Sequence, residues 1–134
     1  KALNNIDINI HGDGLQTRSI SSAKDISLGL SNMANDLDKV NGEIINLGTD
    51  EQTTVKAVAE YILKKTMSKS KIIYKPREDV FGNYDEILKR FANTNKAKSL
   101  IGFKINFKTY EVIDSIIREF GDKNSKYYCI KNDN

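Results

Sequence analysis

Residues 11–20 read HGDGLQTRSI, and the course of the chain on both sides depends on this stretch. Gly12 and Gly14 flank one aspartate, and glycine adopts positive φ cheaply, so the segment predicts a tight turn. The preceding IDINI alternates apolar and polar residues, which predicts a short strand. After the turn we expect extended chain that carries Arg18. A guanidinium presents a fixed fork to phosphate oxygens, so we interpret the stretch as a loop that delivers Arg18 to a diphosphate.

Predicted helices and strands alternate around this turn. One helix begins after Ser21 or Ser22, with Gly29 at a close helix contact; its apolar face comprises Ala23, Ile26, Leu30, Met33 and Ala34. The segment EIINLG predicts a short buried strand that ends at Gly48, and KIIYK predicts a strand that ends before the only proline. Residues 77–92 are expected to be irregular or partly helical.

Three further helices complete the predicted pattern. Thr54 is expected to cap an amphipathic helix, a short helix stops at Gly102, and Thr109 is expected to cap the last helix. The inward positions of the last helix are Val112, Ile113, Ile116, Ile117 and Phe120. Alternating strands and helices place the chain in the α/β class.

Composition excludes several classes of protein. With 134 residues, 39% of them hydrophobic and 29% charged, the chain reads as one globular domain or part of one. No apolar run is long enough to span a membrane. The single cysteine, Cys129, cannot form an internal disulfide or a zinc site, which is typical of a cytoplasmic protein. A net charge of +3 is too small to argue for nucleic acid. The basic segment 64–77 is either solvated surface or a positive field beside an anionic ligand.

Five segments, in order, resemble the extended short-chain dehydrogenases/reductases that act as NAD-dependent sugar-nucleotide epimerases and dehydratases. INIHGDGLQTRSI is similar to the family's G-x-G-x-Q-x-R turn, and AKDISLGL to its V-x-D-x-x-x-G-L helix start. GEIINLG resembles G-E-x-x-N-I-G, and YKPRED stands where the family has P-x-R-x-G-D. RFANTNKAKSLIGF resembles R-x-A-D-x-S-K-A-K-x-L-L-G-W. The first and third segments are particularly similar to the UDP-glucuronate decarboxylase and GDP-mannose epimerase branches.

The resemblance implies the fold and the domain organisation. We expect the C-terminal, substrate-binding portion of an NAD-binding Rossmann-type fold over residues 1–121, with the N-terminal dinucleotide-binding part absent. Residues 23–48 are expected to pack on the missing sheet, and residues 122–134 to form a tail. The whole enzyme is expected to be a homodimer.

The resemblance also implies site residues. Arg18 matches the family arginine that reaches the diphosphate, and Arg90 is expected to be a second phosphate or ribose contact. Arg77 and Asp79 match the R-x-G-D segment with a spacing one residue short, and the aspartate there bonds the ribose. We expect His11, Asp25 and Asn46 to serve the fold.

No catalytic, cofactor-binding or metal-binding residue is expected in the chain itself. The GDG turn lacks the third glycine of a dinucleotide fingerprint. Tyr61 and Lys64 are one position short of the catalytic Tyr-x-x-x-Lys spacing, so we expect NAD and the reaction to belong to the missing part. The expected partner is a nucleoside-diphosphate sugar, not nucleic acid or membrane. A scaffold subunit of the same fold and an RNA-interaction domain remain as alternatives.

Overall fold

The computed structural model describes residues 1–76, 82 and 87–122, and these residues form two compact units. The first unit comprises the described residues within Lys1–Gln16, Thr54–Ile87 and Ile113–Asn134. The second comprises Thr17–Thr53 and Leu88–Val112. Arg77, Asp79 and the predicted tail from residue 123 onward lie outside the described residues. Within the described ranges, no helix is long and apolar enough to cross a membrane.

The first unit is built around two parallel strands. Strand β1 (Ile8–His11) pairs with β4 (Ile72–Lys75), with Ile8 opposite Ile72. Both strands were predicted. Before β4 along the chain, this unit also contains a 3₁₀ turn (Ala2–Asn4) and helix α3 (Val55–Thr66). Helix α3 begins as the sequence predicts, because the Oγ1 of Thr54 accepts a hydrogen bond from the Ala57 N–H at 3.1 Å. The side chains of Ile10 and Ala59 are buried in this unit.

The glycine loop that follows β1 also belongs to the first unit. Gly12 and Gly14 have φ of 79° and 75°, values that favour glycine. The side chain of Asp13 accepts a hydrogen bond from the Leu15 N–H at 2.8 Å, which closes the turn locally. The Gly14 carbonyl accepts from the Lys56 N–H at 2.9 Å. A Cβ on Gly14 would lie 3.1 Å from the Lys56 Cβ, so the loop approaches the first turn of α3 closely.

The second unit places helices beside a small sheet. Its strands are β2 (Thr17–Arg18), β3 (Thr53–Thr54) and β5 (Lys89–Arg90), in the spatial order β3–β2–β5. Its helices are α1 (Ala23–Asn35), α2 (Leu37–Val40) and α4 (Asn95–Ile101). The last helix, α5 (Thr109–Gly121), begins in this unit. Helix α4 ends at Gly102, whose φ of 62° confirms the predicted C-terminal stop. Strand β5 was not predicted, because two residues carry no periodic pattern.

Helix α1 begins as predicted, and its apolar stripe is largely exposed within this unit. The Oγ of Ser22 caps it by accepting from the Lys24 N–H at 3.2 Å. Its buried residues are Asp25 and Gly29, whereas Ala23, Leu30 and Ala34 are exposed. A Cβ on Gly29 would stand 2.9 Å from two ring carbons of Phe103, which confirms the predicted close contact. The apolar stripe of α1 is therefore not the face that packs within this unit.

The segment Glu43–Gly48 is not the buried strand that the sequence predicted. Among the described residues it pairs with no strand, and Ile44 is 86% exposed. Apolar character alone cannot form a strand, since the backbone N–H and C=O groups of a strand require a neighbouring strand as partner.

Helix α5 starts at Thr109, but Thr109 is not its cap. The Glu111 side chain accepts from the Lys108 N–H at 2.8 Å, so Lys108 occupies the capping position. Thr109 is fully buried, and its N–H and hydroxyl both donate to the Glu51 carboxylate, at 3.1 and 3.2 Å. Val112 and Ile113 are buried as predicted, whereas Ile116 and Phe120 are exposed.

Candidate functional site

Two arginines from distant parts of the sequence meet on adjacent strands of the second unit. Strands β2 and β5 are parallel, and their register sets Thr17 opposite Lys89 and Arg18 opposite Arg90. A backbone hydrogen bond from the Thr17 N–H to the Leu88 carbonyl, 2.8 Å long, fixes this register. Side chains of paired residues project to the same face of a sheet. The pairing therefore places Arg18 and Arg90 on the same face of neighbouring strands.

Arg18 and Arg90 line one open cleft of about 390 Å³, which lies entirely within the second unit. The strand side of the cleft also includes Ser19 and Ser21. Its other walls come from residues 46–49 and 91–93. No aspartate or glutamate is among the described residues that line it, so the two arginines give the cleft a positive charge. Such a cleft favours an anionic ligand.

The walls of the cleft are held by hydrogen bonds between its own segments. The Ser21 Oγ accepts from the Thr49 N–H at 2.9 Å, which joins the strand side to the 46–49 segment. Asn46 Nδ2 donates to the Asn93 carbonyl at 3.4 Å, and Asn93 Oδ1 accepts from the Asn95 N–H at 3.1 Å. This hydrogen bond agrees with the structural role predicted for Asn46. The Ser19 Oγ is buried and has no hydrogen-bond partner among the described residues.

The two arginines differ in their surroundings. Arg18 is half-buried, and its Nη1 donates to the Thr17 carbonyl at 2.7 Å, which restricts the guanidinium. Arg90 is exposed. The structure thus brings together two of the four predicted site residues. The other two, Arg77 and Asp79, lie outside the described residues. Sequence reasoning missed the hydroxyl and amide residues as part of the cleft, although each of them lies within three residues of Arg18 or Arg90, within GEIINLG or directly after it.

Asp25 has a role in the fold, as predicted. Its side chain is 1% exposed and accepts from the Asn106 N–H, the Asn106 Nδ2 and the Phe107 N–H, at 3.1, 2.8 and 3.2 Å. The carboxylate therefore ties the first turn of α1 to the loop before α5.

The first unit contains a separate cluster, and it corrects the expectation that the chain lacks the Tyr-x-x-x-Lys spacing. Tyr61 and Lys65 do have the Tyr-x-x-x-Lys spacing, as do Tyr127 and Lys131 outside the described residues. The Tyr61 hydroxyl donates to Asp114 Oδ1 at 2.8 Å, and the Lys65 ammonium binds Asp114 Oδ2 at 2.7 Å. The hydrogen bond to Asp114 raises the pKa of Tyr61, the opposite of what a tyrosine base requires. This Tyr-x-x-x-Lys spacing is therefore explained by the hydrogen bond and the ion pair that Tyr61 and Lys65 of α3 make with Asp114 of α5.

Comparison with known proteins agrees with the fold. No protein-family model matches the chain. The chain is 34% identical over 120 residues to the UDP-N-acetyl-alpha-D-glucosaminuronate decarboxylase of Bacillus cytotoxicus, covering 89% of this chain and 37% of that protein. The epimerase Mth375 of Methanothermobacter thermautotrophicus superposes with a TM-score of 0.85 at 26% identity, over 98% of this chain and 37% of that one. A dTDP-glucose 4,6-dehydratase of Bacillus anthracis, solved with NAD, superposes with a TM-score of 0.72 at 21% identity, over 92% and 37% of the two chains.

These observations define an α/β protein with the Rossmann-type fold of the sugar-nucleotide epimerases. Its sequence and fold match a C-terminal fragment of the NAD-dependent sugar-nucleotide epimerases and dehydratases, which are extended short-chain dehydrogenases/reductases. It spans about 37% of the length of these relatives. Its homologues are epimerases, dehydratases and decarboxylases.

Proposed function

We propose that this chain binds a nucleoside-diphosphate sugar as the substrate-binding portion of an NAD-dependent epimerase, dehydratase or decarboxylase. The observation that carries the proposal is the register of β2 and β5, which pairs Arg18 with Arg90 beside a cleft that has no acidic residue among the described residues lining it. Arg18 grips the diphosphate, because a guanidinium fork reaches oxygens of both phosphates. Arg90 supplies the second positive charge.

The volume of the cleft fits this role. About 390 Å³ lies within the range of small-molecule pockets and leaves room beside the diphosphate for part of the sugar. The hydroxyls of Ser21 and Thr49 line the same space and can donate to phosphate or sugar oxygens. The chain's contribution is therefore positioning of the substrate.

NAD belongs, in this proposal, to another part of the complete enzyme. The glycine turn at residues 12–14 is hydrogen-bonded to the first turn of α3 and does not itself lead into a helix, as the glycine turn of a dinucleotide-binding motif does. The side chains of Tyr61 and Lys65 are both bound to Asp114. When bound, NAD supplies hydride transfer at the sugar. Residues of this chain hold the substrate while that transfer occurs.

The exposed apolar residues of the second unit suggest where the rest of the enzyme packs. Leu28, Leu30, Leu37 and Ile44 are 52%, 55%, 67% and 86% exposed, all within residues 23–48. Apolar residues exposed together mark surfaces that a partner covers. We propose that this region packs on the nucleotide-binding sheet of the complete enzyme.

The test is an amide NMR titration of the chain with UDP, GDP, CDP and dTDP. We expect one nucleotide to shift the amides of residues 17–21 and 46–49, and Arg18→Gln to weaken its binding roughly 10- to 100-fold. Arg118→Gln is the matched control, since Arg118 lies on α5 in the first unit, and it should bind as wild type does. Dispersed spectra that no nucleotide changes would refute the proposal.

A further inference from the structure

The amino ends of β1 and β4 meet in a surface of the first unit that the proposed function does not use. Because the two strands are parallel, the residues that precede them, 1–7 and 67–71, lie at the same end of the pair. Hydrogen bonds join the two segments. The Lys69 N–H donates to Asn5 Oδ1 at 2.8 Å, and the Lys71 N–H donates to Asp7 Oδ1 at 2.7 Å. The two segments therefore form one continuous surface.

This surface carries positive charge. Lys64, in the last turn of α3, and Lys69 and Lys71, before β4, are exposed and form no ion pair among the described residues. Residues 64–71 contain no aspartate or glutamate, and the segment before β1 contains Asp7 alone. An excess of three lysines over one carboxylate favours an anionic partner.

Exposed apolar side chains lie among these lysines. Ile6 is 52% exposed, and Met67 is 88% exposed. Met67 directly follows α3 with a φ of 50°, the left-handed conformation in which helices ordinarily end on glycine. A methionine there bears conformational strain and gains almost no burial within the described residues. Its side chain is therefore available to a partner.

We infer that the surface formed by Ile6, Lys64, Met67, Lys69 and Lys71, here called the lysine edge, binds an anionic lipid surface. Lysines attract lipid phosphates without a fixed geometry, and exposed apolar side chains enter the boundary between headgroups and acyl chains. Nucleic acid fits less well, because the lysine edge has neither an arginine to pair with bases nor an aromatic ring to stack on them. A protruding methionine also differs from the grooves that bind peptides.

The lysine edge is separate from the features assigned to the substrate and to the rest of the enzyme. The cleft and the exposed apolar residues of residues 23–48 belong to the second unit, whereas the lysine edge lies wholly in the first. The sequence predicted no membrane partner, because Ile6 and the lysines near residue 70 become neighbours only when β1 and β4 pair.

The test is co-sedimentation of the chain with vesicles of phosphatidylcholine, either alone or mixed with phosphatidylglycerol. Each lysine near an anionic surface contributes roughly fivefold in affinity, so the three predict roughly 100-fold tighter binding to the anionic vesicles in about 0.1 M salt. This preference should fall steeply towards about 1 M salt, because the charges are then screened. The triple variant Lys64→Gln, Lys69→Gln and Lys71→Gln should lose it.

A second triple variant controls for net charge. Lys39→Gln, Lys104→Gln and Lys108→Gln together remove the same charge from exposed positions of the second unit, so the preference should stay within about twofold of wild type. Met67→Gly removes the apolar side chain and relieves the left-handed strain. It should weaken binding to anionic vesicles roughly fivefold while leaving the fold at least as stable by circular dichroism in urea.

Equal binding of wild type to neutral and anionic vesicles would overturn the inference, as would equal losses in the two triple variants. Undiminished vesicle binding by a folded Met67→Gly chain would also overturn it. A single-stranded RNA oligonucleotide that binds the chain in place of vesicles, and is lost in the Lys64, Lys69 and Lys71 variant, would instead make the lysine edge a nucleic-acid surface. Each of these outcomes leaves the proposed function intact, since the nucleotide titration measures the cleft of the second unit.

Discussion

Asp25 gives the sharpest test of how the second unit is held together, because its buried carboxylate accepts three hydrogen bonds. The donors are the Asn106 N–H, the Asn106 Nδ2 and the Phe107 N–H, within 2.8 to 3.2 Å. A hydrogen bond to a charged group contributes about 1.5–3 kcal/mol, and three that share one acceptor are not additive. Asp25→Ala leaves all three donors without their acceptor, so we expect the free energy of unfolding to fall by about 3 kcal/mol.

Asp25→Asn should have a smaller effect. Its amide oxygen still accepts, but its NH₂ group faces a donor, so the expected loss is about 1–2 kcal/mol. Asp38→Ala is the matched control, since Asp38 is exposed on α2, and its effect should stay within about 0.5 kcal/mol.

The assay is urea unfolding followed by circular dichroism, with amide hydrogen exchange at Asn106 and Phe107 to report on the second unit alone. With a denaturant slope of about 1–3 kcal/mol per molar, Asp25→Ala should lower the unfolding midpoint by roughly 1 M or more. Combined with Asn106→Ala, it should show a coupling energy of about 1 kcal/mol. A stability within about 0.5 kcal/mol of wild type, or strict additivity of the two substitutions, would refute the reasoning.

Two further predictions concern packing and pH. Gly29→Ala adds a Cβ 2.9 Å from buried ring carbons of Phe103, so overpacking should outweigh the gain in helix propensity and destabilise the chain by about 1 kcal/mol in urea. Phe103→Leu should restore part of the loss, and a Gly29→Ala chain more stable than wild type would contradict this packing. Hydrogen bonds from Lys65 and then Tyr61 lower the pKa of Asp114 below its ordinary 3.8. Because the pKa of Asp114 is lower in the folded state, the stabilisation from its ionised carboxylate is fully present above pH 3.8. It is lost as the pH falls through the folded-state pKa. Wild type should therefore exceed Asp114→Asn in urea midpoint at about pH 7, and this difference should shrink as the pH falls below 3.8; a difference that does not shrink in acid would exclude this cause.

Local signals in the sequence predicted most of the regular structure correctly. The caps at Ser22 and Thr54, the turn glycines at 12 and 14 and the stop at Gly102 act within a few residues of themselves. Their physics is steric or involves hydrogen bonds to neighbouring backbone, so it can be recognised without knowledge of the fold. The same holds for strands β1 and β4, whose apolar residues and bounding glycine or proline mark them clearly.

Patterns that depend on distant partners were predicted less well. Glu43–Gly48 has the composition of a buried strand but finds no pairing strand among the described residues. Thr109 looked like a cap, yet the carboxylate of Glu51, distant in sequence, takes both of its donors. The close contact of Gly29 on α1 is with Phe103, which is distant in sequence.

The candidate site divides in the same way. The sequence by itself determined that Arg18 follows a glycine-bent turn and, through resemblance to a family, that Arg18 and Arg90 are candidate ligand contacts. Only the tertiary structure decided that the two arginines are register partners, that serines, asparagines and Phe91 line the cleft with them, and that one guanidinium is restrained while the other is exposed. A turn is encoded by the conformational limits of its own residues, whereas a cleft exists only where strands far apart in sequence pair.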